Sequence, residues 1–151
     1  MHGGVEGEGY NVSSYADLLV GVVPITNLEW IQKIHRDNAE RGYSAETIVD
    51  TILRRMPDYI NHICPQFSKT DINFQRIPTI DTSNPFICRN IPTPDESFVI
   101  IHFRKGAREK WGIDFQYLLG MIHDSFMSSP TSIVVNGGKM GFAMELILTP
   151  I

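Results

Sequence analysis

The densest chemistry in the 151-residue chain lies in Lys33-Ile34-His35-Arg36-Asp37-Asn38-Ala39-Glu40-Arg41-Gly42. At about 100° per residue on a helix, Lys33, Arg36, Asp37 and Glu40 share a sector of roughly 100°, with Arg41 at its edge. Two or three cations and a carboxylate would then gather at the C-terminal end of that helix. Lys and Arg so placed could grip a phosphate while Asp37 orients or neutralises them. The same spacing suits a solvated face, with an i, i+4 Lys33–Asp37 pair and cations favoured by the helix C-terminus. Spacing alone leaves both readings open.

Other motifs carry less. His35-Arg36-Asp37 looks like the start of the protein-kinase catalytic loop, but Gly42 stands where that loop needs its metal-binding Asn. Asn136-Gly-Gly-Lys-Met-Gly141 lacks the spacing of a phosphate-binding loop and reads as a turn before a helix. The glycines of residues 1–9 follow no strand and fit no dinucleotide fingerprint. His62 is too close to Cys64 to make a convincing zinc pair, and no second pair follows.

The elements that must position Lys33–Arg41 are legible around it. Leu18–Val23 is short, apolar and β-branched, which predicts a strand buried on both faces in a parallel sheet. Thr26 with Glu29 three residues on predicts a capping box opening a helix, with Leu28, Ile31 and Ile34 on its apolar side and Gly42 at its end. A second helix is expected from Ser44 on the apolar positions Ile48, Ile52, Met56, Tyr59 and Ile63, kinked near Met56 by Pro57 and closed by Pro65. Beyond it come strands over Ile72–Ile77 and Ser97–Arg104, then a charged loop to Gly112. A helix over Phe115–Met127, a strand over Ser132–Val135 and a helix over Lys139–Leu148 complete the reading.

Composition narrows the class. Apolar residues make up 42% and charged residues 20%, an ordinary globular balance that argues against disorder. A net charge of −4 argues against nucleic-acid binding or a basic membrane surface. No apolar run approaches the ~20 residues of a membrane span. The two cysteines, Cys64 and Cys88, read as small buried hydrophobes in a reducing cytoplasm.

The residues also resemble a known family. Lys33-Ile-x-Arg36-Asp37-x-x-x-Arg41-Gly42-x-Ser44-x-Glu46 matches the phosphoribulokinase signature at every specified position. Val22-Val-Pro-Ile25, Pro65-Gln-Phe-Ser68, Asp71-Ile-Asn-Phe-Gln-Arg76, Asp81-Thr-Ser-Asn-Pro-Phe86, Gly112-Ile-Asp-Phe115 and Ala143-Met-Glu-Leu-Ile-Leu148 look like its bacterial form. The resemblance implies an α/β fold, part of a P-loop nucleoside-kinase-like mixed sheet with flanking helices. It implies transfer of the γ-phosphoryl group of ATP, with Mg²⁺, to O1 of ribulose 5-phosphate in the Calvin cycle, by a homo-oligomer with NADH and AMP as effectors.

Carried over by position, Lys33 and Arg36 resemble the residues that stabilise charge during transfer. Asp37 resembles the family's essential second carboxylate, linked to positioning of the metal-nucleotide. Arg41 resembles a residue tied to sugar-phosphate binding, and His2 the histidine of a Leu-His-Gly stretch with a weaker substrate role. The family's glycine loop and catalytic-base Asp have no counterpart among these residues. Residues 1–151 therefore read as one partial domain, truncated at the N-terminus and also at the C-terminus. Turnover is not expected from the chain alone, since phosphoryl transfer depends on the phosphate cradle and the base. The alternative is a non-catalytic sugar-phosphate or effector module that pairs with full-length subunits.

Overall fold

The computed structural model describes residues 11–151, and two units are distinguished within it. The first comprises residues 11–19, Thr26–Thr70 and Thr82–Ile91. The second comprises Val20–Ile25, Asp71–Asp81 and Pro92–Ile151. His2 lies outside the described residues.

The second unit is a five-stranded mixed sheet with short helices. Its strands are β1 (Val20–Pro24), β2 (Ile72–Pro78), β3 (Ser97–Phe103), β4 (Phe126–Ser129) and β5 (Ser132–Asn136), in spatial order β1-β2-β3-β5-β4. Only β1 and β2 are parallel; the other neighbours are antiparallel. Alternation along β3 buries Ser97, Val99, Ile101 and Phe103 on one face. Register then lines Phe74, Ile101 and Ile133 across three strands, with Val99 opposite Val135 beside them. Phe103 packs against Phe115 at 4.9 Å between ring centroids, which extends this core.

Three expectations change here. The β1 segment, expected to be buried on both faces, is an edge strand with Val22 half exposed, and its other edge has no strand partner among the described residues. The charged stretch after Arg104 contains a short helix, α3 (Ala107–Trp111), held between Gly106 and Gly112, both at positive φ. The helix expected to reach Met127 stops as α4 (Phe115–Met121), because Ile122 turns extended and Asp124 takes φ 61 before β4 begins. The Asn136-Gly-Gly stretch is, as expected, a turn leading into a helix, α5 (Met140–Leu148). A Cβ at Gly137 would fall on Ser97 Oγ and the Pro94 carbonyl, so that glycine lets two backbones approach.

The first unit carries two helices, α1 (Thr26–Arg41) and α2 (Ala45–Asp58). Leu28 and Ile31 of α1 are buried, as are Ile48 and Ile52 of α2. The expected box at Thr26 does not describe the use of Glu29, whose carboxylate accepts from Tyr59 Oη at 2.9 Å. A complete capping box forms instead at Thr93–Glu96, in the second unit. Pro57 is accommodated within α2, and the loosening falls two residues later, where Tyr59–Ile63 widens into a π turn. Cys64 is exposed and Cys88 part-exposed, which corrects their reading as buried hydrophobes; both are free thiols. No helix among the described residues is long and apolar enough to cross a membrane.

Loop 82–91 is strapped to α1 within the same unit. Asn27 Nδ2 donates to the Thr82 carbonyl, Trp30 stacks on Phe86 with centroids 5.9 Å apart, and the His35 ring lies 3.0 Å from the Cys88 carbonyl. Burial, and then the hydrogen bond to Glu29, push the Tyr59 phenol up to about 12. The phenol is neutral when protonated, so its contribution to stability is complete below the ordinary value near ~10 and is lost as pH rises through about 12. A phenolate absorbance titration should therefore show a late component that is absent from Tyr59→Phe. A Tyr59→Phe curve superimposable on wild type would refute that assignment.

Candidate functional site

The second half of the signature is a helix end, a turn and a helix start. Gly42 sits at φ +68 just past α1, where any Cβ is strained. Its N–H donates to the Asn38 carbonyl, and Asn38 Nδ2 donates to the Tyr43 carbonyl at 2.8 Å. Ser44 then caps α2 by accepting from the Thr47 N–H, and Glu46 lies in the first turn, where a carboxylate suits the helix dipole. Gly42 and Ser44 thus shape the backbone between the two helices.

The charged positions of the signature converge on Asp37. Its side chain is 5% exposed, and Lys33 Nζ donates to Oδ2 at 2.6 Å. Arg36 Nε donates to Oδ1 at 3.1 Å, and Arg41 Nη1 stands 3.4 Å from the same oxygen. The Lys33 hydrogen bond holds the Asp37 carboxyl below the ordinary range; burial opposes it, and Arg36 and the charges of Lys33 and Arg41 reinforce it. Three cations on one carboxylate leave a formal excess of two positive charges. Lys33, Arg36 and Arg41 are 31%, 50% and 55% exposed at the side chain, so all three paired cations also face solvent. Of the sequence candidates, the structure therefore brings Lys33, Arg36, Asp37 and Arg41 together.

Asp37, the carboxylate that the resemblance offers as a metal ligand, has both oxygens held by cations, and among the described residues no group of three or more His, Cys, Asp or Glu stands together. Here the carboxylate anchors cations.

Lys33, Asp37 and Arg41 also line a cavity of about 410 Å³ between α1 and α2. Its remaining wall is Ile48, expected above as an apolar helix position, with Tyr43, Thr47, Thr51 and Arg55, which were not among the sequence candidates. Thr47, Thr51 and Arg55 recur every fourth residue, a stripe on one face of α2 that begins just past the signature. That spacing is the sequence signal for this wall, and it runs beside the apolar positions that define α2.

A sequence profile of the Phosphoribulokinase / Uridine kinase family matches residues 1–83, more than half of the chain. The chain belongs to that family. It is 65% identical over 150 residues to the chromosomal phosphoribulokinase of Cupriavidus necator, covering 99% of this chain and 50% of that one. To the phosphoribulokinase of Xanthobacter flavus it is 62% identical over 151 residues, again covering 50% of the relative. A solved structure of phosphoribulokinase from Rhodobacter spheroides superposes with a TM-score of 0.88 at 60% identity, over 99% of this chain and 52% of that one. The chain thus spans about half the length of the curated relatives it matches. The mixed sheet and flanking helices expected from the resemblance are present, and by family resemblance the chain is grouped with enzymes, the phosphoribulokinases.

Proposed function

We propose that the chain carries the cationic part of a phosphoribulokinase site, acting in transfer of the ATP γ-phosphoryl group to ribulose 5-phosphate. The observation that carries the reading is the convergence of Lys33, Arg36 and Arg41 on buried Asp37 beside an open cavity. Phosphoryl transfer asks little covalent chemistry of the protein and much positioning of positive charge. Asp37 supplies that positioning by fixing three cations before any ligand arrives. Lys33 and Arg36 are one helical turn apart and reach the same migrating group, while Arg41, a further turn along, takes the phosphate already on the sugar. Mg²⁺ would travel with the nucleotide.

The test is a chimaera in which these 151 residues replace their aligned segment in the Cupriavidus necator relative. ATP-dependent formation of ribulose 1,5-bisphosphate is expected from the chimaera, and none from the 151-residue chain by itself. A folded chimaera without turnover would overturn the kinase reading, as would turnover by the chain alone overturn its dependence on the remainder.

A further inference from the structure

Helix α2 and the π turn after it bury only part of their apolar surface. Ile48 and Ile52 are buried, whereas Leu53 and Ile60 stay 52% and 56% exposed. Met56 is half-buried and Pro57 exposed. At about 100° per residue, Leu53, Met56, Pro57 and Ile60 share a sector of roughly 100° beside the buried ridge. The apolar sector of this helix is therefore wider than its own fold covers, and the uncovered part forms a seam.

The charges on the rim of the seam say what fits it. Arg54 and Asp58 lie one turn apart on the same flank, both exposed, and neither makes an ion pair among the described residues. A cation N-terminal to its carboxylate is the less favourable order for pairing within one helix. An antiparallel copy of α2, related by a two-fold axis at Met56, sets Arg54 opposite Asp58 of the second copy and, by symmetry, Asp58 opposite Arg54. The same axis places Met56 against its own symmetry mate and Leu53 beside Ile60 of the second copy, within one residue of register. Apolar seam and charged rim thus share one two-fold register, as a self-complementary interface requires. An unrelated partner would have no reason to match it.

We infer that this face of α2 is a docking surface for a second copy of the chain, paired antiparallel about Met56. The inference does not depend on the kinase reading. Four seam side chains are far fewer than the roughly 20–30 residues a side of a standard interface, so the dimer is a weak one. The test is sedimentation of the 151-residue chain at concentrations up to about 100 µM, where wild type should be dimeric. Arg54→Glu and Asp58→Arg should each weaken the dimer about tenfold or more, because each sets like charges face to face twice. The double variant, Arg54→Glu with Asp58→Arg, should recover it. An equimolar mixture of the two single variants should recover it too, since a heterodimer regains both opposite-charge pairs.

Rescue by mixing cannot arise from an effect inside one helix, so that arm separates an interface from a folding defect. The inference is overturned by monomers at every concentration, or by a mixture that stays monomeric. Association that ignores both single variants, as pairing through the β1 edge would, overturns it as well. In the chimaera the same single variants should reduce the size of the assembly. An unchanged size there would overturn the inference, and an accompanying fall in melting temperature would show that the rest of the polypeptide covers the seam.

Discussion

Lys33→Met in the chimaera is expected to lower kcat by roughly 10³-fold or more, the scale at which cationic stabilisers of phosphoryl transfer act. Lys33 is the least exposed of the three cations and the most tightly held, at 2.6 Å from Asp37, so its ammonium is placed before the reaction begins. Arg36→Ala should lose a comparable amount through kcat, because charge that develops only in the transition state is what both cations answer. Arg41→Ala should instead raise KM for ribulose 5-phosphate more than it lowers kcat and leave KM for ATP nearly unchanged. It sits at the loosest of the three contacts and on the cavity wall, where a ground-state phosphate would rest. A solvated charged face predicts no more than about 0.5 kcal/mol in stability and little kinetic effect. Near-wild-type kcat for Lys33→Met would therefore return the cluster to that reading.

The features of this site that the residues alone make legible are those carried by local signals. Helix α1 and its stop at Gly42 follow from short-range rules, an apolar period and a residue able to take φ +68. Burial of Asp37 does not. Its wheel position lies among Lys33, Arg36 and Glu40, and such a face ordinarily meets water; only a count of cations within reach explains how a carboxylate 5% exposed stays charged. The Arg55 wall was legible in principle but needed the α1–α2 turn to bring it opposite Arg41.

The sheet shows the same boundary. The valine-rich apolar run of residues 18–23 reports a strand but says nothing of its place in the order, and β1 is at an edge. A strand followed by a helix suggests parallel pairing, which holds for β1 and β2. After β2 no crossover helix intervenes, so β3 returns antiparallel as the shorter connection allows. The error at residues 122–127 came from apolar spacing that suits a helix equally well; the break is made by the backbone at Asp124, and Asp is among the few non-glycine residues that tolerate it.

Asp37→Asn joins these threads because it keeps shape and removes only charge. Lys33, Arg36 and Arg41 would then repel one another around a neutral amide, and a loss of fixed geometry should cost about 10²-fold or more in kcat of the chimaera. Stability of the 151-residue chain should also fall, by about 1–3 kcal/mol. That is less than for a fully buried pair, since the three cations are exposed enough to turn toward water. The pH dependence separates this from a packing defect. Asp37 titrates below its ordinary value in the fold, so its contribution is complete above the unfolded value near ~3.9 and is lost as pH falls through the lower folded one. Urea denaturation should accordingly show a constant gap between wild type and Asp37→Asn from neutral pH to about pH 5, shrinking below about pH 4. Glu96 is also held low, by hydrogen bonds from Thr93, but it titrates in both proteins and cancels in the difference. A gap that persists undiminished into acid would mean that the variant is destabilised by packing, and that Asp37 does not hold the cations by charge.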